Sequence, residues 1–231
     1  MRYSIIIFLS FFLVASAAAQ DVNGLVQKVK AKMEQVNNYE AAGVMKTNVS
    51  FLKVPVANVK IYYRKPNQVK IKNEKGISFV PKGAVSINLN NILSSGKYTV
   101  IDAGADRVSG KPVRVVKLLP EDDNADIVLS TIYVDETNFV ILRSRTTTRD
   151  NGSYELEMSY AKYTAYGLPD KIIFSFNTKE YKLPKGITFD FDEGGQEPPK
   201  PEDKMKNRKG RAEITIKSYS INKGVADAVF Q

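Results

Sequence analysis

The stretch Ser153-Tyr154-Glu155-Leu156-Glu157-Met158-Ser159-Tyr160 decides the fold class. Tyr154, Leu156, Met158 and Tyr160 alternate with Glu155, Glu157 and Ser159, a period of two that puts apolar groups on one side of a strand and polar groups on the other. One face meets apolar matter and the other meets water, which is the situation of a strand in an antiparallel sheet. Just before it stands Asp150-Asn151-Gly152. Asn and Gly tolerate positive φ, so this tripeptide reads as a hairpin turn joining 153–164 to the strand-forming run 139–147.

Working outward, the same Val-, Ile-, Thr-, Tyr- and Phe-rich rhythm recurs at 44–51, 59–63, 69–79, 113–119, 127–134, 171–176 and 212–221. Asp135-Glu136-Thr137-Asn138 closes a four-residue turn. Helical spacing is confined to the beginning of the mature chain, where Val22, Leu25, Val26, Val29, Met33 and Val36 share one stripe, and Asn37 and Asn38 end it. Such a stripe must lie on something, most simply a sheet. Ile87, Leu89, Ile92 and Leu93, set among Asn and Ser in 85–93, suggest a short second helix or a strand near the sheet. Residues 193–211 contain almost nothing to bury and predict an exposed, flexible loop.

Eight or nine antiparallel strands must manage their edges, usually by curling toward a barrel. The expected class is therefore mainly β (α+β): a curved, unclosed antiparallel β-barrel with an N-terminal amphipathic helix and a short second helix or lid segment. One helix cannot cover both ends of such a half-barrel. Its concave face then holds apolar side chains that suit an apolar ligand or a lid.

Composition narrows the chemistry. The 231 residues include 34 Lys plus Arg, 25 Asp plus Glu, and no His, Cys or Trp. Disulfides, thiol nucleophiles, thiolate zinc sites and imidazole bases are all excluded. Carboxylate, Lys, Tyr or Ser/Thr chemistry remains, as does pure binding. The acidic run Glu121-Asp122-Asp123-Asn124-Ala125-Asp126 lacks the glycine and the distal bidentate Glu of a calcium loop, and reads as a solvated hairpin turn. No spacing among Asp190, Asp192, Glu193 and the other acids selects a glycosidase pair. No catalytic residue, metal ligand or cofactor is indicated.

Residues 1–19 read as a secretory signal peptide: Arg2, an apolar run from Ile5 to Val14 interrupted by Ser10, then Ala15, Ser16, Ala17, Ala18 and Ala19. The run is shorter than the roughly 20 residues a membrane-spanning helix needs. Cleavage after Ala19 leaves 20–231 as a single exported domain, takes one charge from the net +9, and makes nucleic acid an unexpected partner. The basic run Lys204, Lys206, Arg208, Lys209 and Arg211 has no interleaved aromatics for base stacking. It fits a solvated loop, or one that docks on an anionic membrane surface or an envelope membrane protein.

One further segment is distinctive. In Val59-Lys60-Ile61-Tyr62-Tyr63-Arg64-Lys65-Pro66-Asn67-Gln68-Val69-Lys70-Ile71, two strands flank a Pro-Asn break. Following an amphipathic helix and a Tyr-centred first strand in an exported chain, it resembles the LolA-like periplasmic lipoprotein carriers. Ser130-Thr131-Ile132-Tyr133-Val134-Asp135, with the paired strands after it, and Leu183-Pro184-Lys185-Gly186-Ile187-Thr188-Phe189-Asp190 are similar to later motifs of that superfamily, in order, over roughly 22–192. The resemblance implies an unclosed barrel with a helical lid over a cavity for acyl chains, and a non-enzymatic role in binding, carrying or sensing lipid or lipoprotein. The carriers have a functionally important Arg directly before Pro-Asn; Lys65 stands there, with Arg64 before it, and lysine lacks the fork-shaped donor set.

Alternation selects the inward side chains: Ile61, Tyr63, Val69, Ile71, Leu156, Met158, Tyr160, Phe174 and Phe176 as lipid-binding residues, with Arg64 and Lys65 at the cavity rim. The competing reading is an envelope interaction or sensor module whose core is filled by its own side chains. Tyr62, Tyr63, Tyr133, Tyr154, Tyr160 and Tyr163 serve either as core packing or as an amphipathic ring at a cavity mouth.

Overall fold

The structure is a computed structural model that describes residues 21–48, 56–66, 68–73, 93, 97–150, 152–177 and 209–230. The signal peptide, residues 49–51 and 74–79 of two expected strands, all of 85–93 but Leu93, the 183–190 motif and residues 193–208 of the expected loop lie outside them.

Helix α1 spans Val22–Glu34. Asp21 caps it, its carboxylate accepting from the Asn23 amide at 3.0 Å, which satisfies one of the donors every helix start leaves open. Ten strands follow: β1 Asn38–Asn48, β2 Ala57–Arg64, β3 Gln68–Asn73, β4 Tyr98–Val108, β5 Lys111–Pro120, β6 Ile127–Asp135, β7 Val140–Thr148, β8 Gly152–Ser159, β9 Lys171–Asn177 and β10 Lys209–Ile221. They form one antiparallel sheet in the order β3-β2-β1-β10-β9-β8-β7-β6-β5-β4. Two runs of sequential hairpins are joined where β1 pairs with β10, and the sheet is left unclosed between β3 and β4. The mainly β, unclosed antiparallel architecture with its N-terminal helix is thus present.

Particular boundaries moved. Among the described residues the sheet has ten strands, because β4, unmarked by alternation, is one of them. β1 begins at Asn38 rather than Val44, β8 ends at Ser159 rather than continuing to Thr164, and β10 starts at Lys209, inside the stretch expected to be loop. After β8 the chain turns through a single 3-10 turn, Thr164–Tyr166, ended by Gly167 at φ +65°.

The turn at Asp135 forms as expected. The Asp135 carboxylate accepts from the amides of Thr137 at 2.9 Å and Asn138 at 3.0 Å, and from the Asn138 side chain at 2.9 Å. These bonds hold its pKa below the usual carboxylate range, outweighing a burial that alone would raise it.

The two faces of the sheet differ in kind. On the face bearing α1, Leu25, Val26 and Val29 pack with Val116, Leu118, Ile132, Val134, Ile141, Leu156, Met158, Phe174, Phe176 and Leu93 in one buried cluster. On the opposite face of β7, β8 and β9 stands a ladder of charges, with Arg143 paired to Glu157 at 2.7 Å, Arg145 to Glu155, and Lys171 to Glu213 at 2.9 Å. A smaller apolar cluster, including Val113, Val115, Tyr133 and Leu142, continues that face toward β5 and β6.

Candidate functional site: the helix-covered apolar face

Register carries the apolar face across the sheet. Val116, Ile132, Ser144, Leu156, Phe174 and Ala212 stand opposite one another on successive strands, and Val69, Tyr63 and Tyr39 do the same across β3, β2 and β1. Paired residues share a face, so each row is a line of neighbouring side chains.

All nine residues selected by alternation come to this face, in three groups. Leu156, Met158, Phe174 and Phe176 lie in the cluster beneath α1, at 0 to 5% exposure, and Tyr160 packs against it. Ile61 joins Ala41, Met45, Val59 and Ile216, with Val69 and Ile71 packed alongside. Tyr63 belongs to a neighbouring group with Val36 and Leu168. There Tyr39 meets Tyr63 at 5.2 Å between ring centres and Tyr219 edge-on at 5.3 Å, and Tyr163 meets Tyr219 at 4.8 Å. Burial pushes the pKa of the Tyr39, Tyr160 and Tyr219 hydroxyls upward. Tyr160 stands just past the end of β8, where its hydroxyl donates to the Ile141 carbonyl at 3.0 Å.

Two glycines fit this packing. A Cβ on Gly210 would lie 2.2 Å from Cζ of Phe176, so the ring occupies the space a side chain would need. Gly43 lets β1 approach the Thr215 carbonyl, which a Cβ would meet at 2.7 Å. Between Val29 and Met33 on the helix and Phe139, Val140, Ile141, Tyr160 and Gly167 there is a cleft of about 10 Å³, the size of one water.

The structure separates the two expected rim cations. The Lys65 ammonium donates to the carbonyl of Glu34, at the last turn of α1, and to Asn37 Oδ1 at 3.1 Å. A cation at a helix C-terminus answers both the orphan carbonyls and the negative end of the dipole. Arg64 turns elsewhere: its Nε donates to Gln68 Oε1 at 2.7 Å, its Nη1 pairs with Asp227, and the guanidinium lies 4.9 Å from the Phe230 ring centre.

Residues not selected from sequence complete the attachment of the helix. Asn222, at φ +55°, accepts the Asn37 amide at 2.7 Å and donates through Nδ2 to the Gln35 carbonyl at 2.9 Å. On the other side, Lys32 donates to the Asn138 carbonyl at 2.5 Å, and the Lys28 ammonium stands 5.0 Å from the Phe139 ring centre. An Asn at the end of a strand-forming run was the available signal for Asn222, because Asn tolerates this backbone region.

This arrangement has counterparts among solved structures. No protein-family model and no curated protein matches the sequence. A DUF1329 family protein from Desulfovibrio piger ATCC 29098 matches at a TM-score of 0.54 with 12% identity, over 91% of this chain and 97% of that one. The LolA superfamily protein NE2245 from Nitrosomonas europaea matches at 0.51 with 9% identity, over 90% and 96%. At such identities the likeness concerns architecture, and it agrees with the motif order of the sequence: the chain has the fold of the LolA superfamily.

Proposed function

We propose that this chain is an exported, periplasmic, non-enzymatic protein that shelters acyl chains of a lipid or lipoprotein on the helix-covered face of its sheet, possession of which by a carrier would serve traffic toward the outer membrane. The observation that carries this reading is the continuity of the apolar face from β3 to β5, part of it beneath α1, whose C-terminal end is held by side-chain contacts. In this reading α1 is a gate: displacing it opens the cluster that holds Leu156, Met158, Phe174 and Phe176, and an acyl chain takes the place of the helix side chains. Each buried methylene contributes about 0.8 kcal/mol, so a chain of about 16 carbons supplies more than the helix gives up.

The fold resemblance supports the same reading; Lys65, which stands where the carriers have Arg and lacks its fork-shaped donor set, still reaches the last turn of α1 through the Glu34 carbonyl. Residues 1–19 as a cleaved signal peptide would deliver the protein to the periplasm. Among the described residues, no helix is long and apolar enough to cross a membrane.

One observation favours a second reading. Among the described residues, the cleft between α1 and Phe139, Val140, Ile141 and Tyr160 is only about 10 Å³, which suits an interaction or sensor module filled by its own side chains and docking an envelope protein or an anionic membrane surface. Delipidated protein decides between the two. Saturable uptake of a fluorescent fatty acid, with the lipid adduct seen by native mass spectrometry, supports the carrier; absence of both, in folded protein, leaves the sensor.

A further inference from the structure

The helix-covered face is interrupted by a patch of hydroxyls. Ser130, Thr146 and Tyr154 stand opposite one another on β6, β7 and β8, and Ser144 lies in the next inward row between Ile132 and Leu156. Ser130 and Thr146 are each 1% exposed and share a hydrogen bond of 2.8 Å. Tyr154 faces Thr146 directly across the β7–β8 ladder. Ser144 is 0% exposed, and its Oγ has no hydrogen-bond partner among the described residues.

A buried hydroxyl without a partner is destabilising, and Val or Ala would pack on a strand face at no such cost. The patch therefore requires a reason other than stability. Its chemistry is specific: it offers neutral O–H donors, while the arginines of the same strand, Arg143 and Arg145, pair with carboxylates on the opposite face. Burying an anionic phosphate or carboxylate on neutral donors alone is costly, so these hydroxyls suit a neutral carbonyl oxygen better.

We propose that Ser144, Thr146, Ser130 and Tyr154 form a subsite that donates hydrogen bonds to the carbonyl oxygen of an ester-linked acyl chain once α1 is displaced. This rests on the acyl-binding reading above and names the part of the ligand that the pocket recognises. The hydrocarbon supplies affinity, and the hydroxyls discriminate a chain bearing a carbonyl from one without.

The test uses the full exported protein with two lipids that differ only at that group: 1-palmitoyl-lysophosphatidylcholine and its ether analogue, 1-O-hexadecyl-lysophosphatidylcholine. Wild type binds the ester about tenfold more tightly, the discrimination expected from roughly one or two hydrogen bonds. Ser144→Ala brings the two affinities close to parity by weakening ester binding alone. Because Ser144 has no partner among the described residues of the closed protein, the same substitution leaves the thermal midpoint unchanged or raises it, whereas a merely structural serine would lower it. Thr146→Val gives the same loss of preference as a second variant. Equal affinity of wild type for both lipids, or an undiminished preference in folded Ser144→Ala, overturns the subsite and leaves acyl binding standing. Binding of neither lipid overturns acyl binding and the subsite together.

Discussion

Removing the Lys65 ammonium should loosen α1 without unfolding the sheet. Displacing the helix re-exposes Leu25, Val26 and Val29, each 1 to 4% exposed, at about 1.5 to 3 kcal/mol per side chain, so the helix's own share of the apolar cost of opening is about 5 to 9 kcal/mol, to which the uncovered sheet side chains add. Against this, Lys65 contributes charge-assisted bonds to the Glu34 carbonyl and Asn37 Oδ1 from a partly exposed position, together worth about 1 to 1.5 kcal/mol. Lys65→Ala should therefore raise the opening constant about five- to twelvefold. Hydrogen exchange is the direct assay: amide protection within Val22–Glu34 should fall by that factor, while protection in β7 and β8 is unchanged. Lys65→Arg should restore most of it. If ligand binding requires the open form, apparent acyl affinity rises by the same factor. Unaltered helix protection would refute the role of Lys65 as a latch. Reduced protection with unaltered affinity would refute α1 as the gate.

Other outcomes follow from single sites. Gly210→Ala forces Phe176 out of its position and should cost about 1 to 3 kcal/mol, lowering the thermal midpoint by several degrees in a calorimetric scan. Because burial raises the hydroxyl pKa of Tyr39, Tyr160 and Tyr219 above its unfolded value near 10, their contribution is complete below about pH 10 and is lost as pH rises through the folded values. Titration at 295 nm should accordingly show these three ionising only with unfolding, judged by parallel circular dichroism. Asp135 has the opposite sign: its depressed folded pKa stabilises above the unfolded value near 4, and the contribution disappears as pH falls through the folded one. Asp135→Ala should cost about 1 to 2 kcal/mol at pH 7 by urea denaturation, and its gap from wild type should narrow below about pH 4.

What could be read from the sequence depended on whether a strand has one wet face. β8 was legible because Leu156 and Met158 are buried while Glu155 and Glu157 pair with arginines outside. β4 was not: as an edge strand exposed along most of its length, with Gly104 in an irregular pairing at Asp102/Ala105, it has no continuous apolar side to alternate. The start of β1 was hidden for a different reason. Ala41 and Gly43 stand where close approach to β10 requires small residues, so the period of two is present in space without large apolar side chains to mark it. The hydroxyl patch escaped because β7 is irregular: pairing shifts at Tyr133/Val134, which leaves Leu142 and Arg143 on the outer side while Ile141, Ser144 and Thr146 face the helix. Polar residues in that run read naturally as the solvent face, and only the register shows otherwise.

The division of labour between the faces explains how a gate can open without loss of the fold. The helix is held by apolar burial plus side-chain bonds at its periphery, from Lys32, Lys65 and Asn222 to backbone carbonyls. The sheet is held by its own ladders from β3 to β4, and on the opposite face by the Arg143, Arg145, Glu155 and Glu157 pairs and the cluster around Val113 and Tyr133. None of these opposite-face contacts involves α1. Lifting the helix therefore costs the area it covers and its peripheral bonds, while strand pairing and the outer clusters persist. On the proposed acyl-binding function, that separation would let the ligand offset the opening cost locally, since transfer of a long acyl chain from water matches in kind the burial that the helix surrenders.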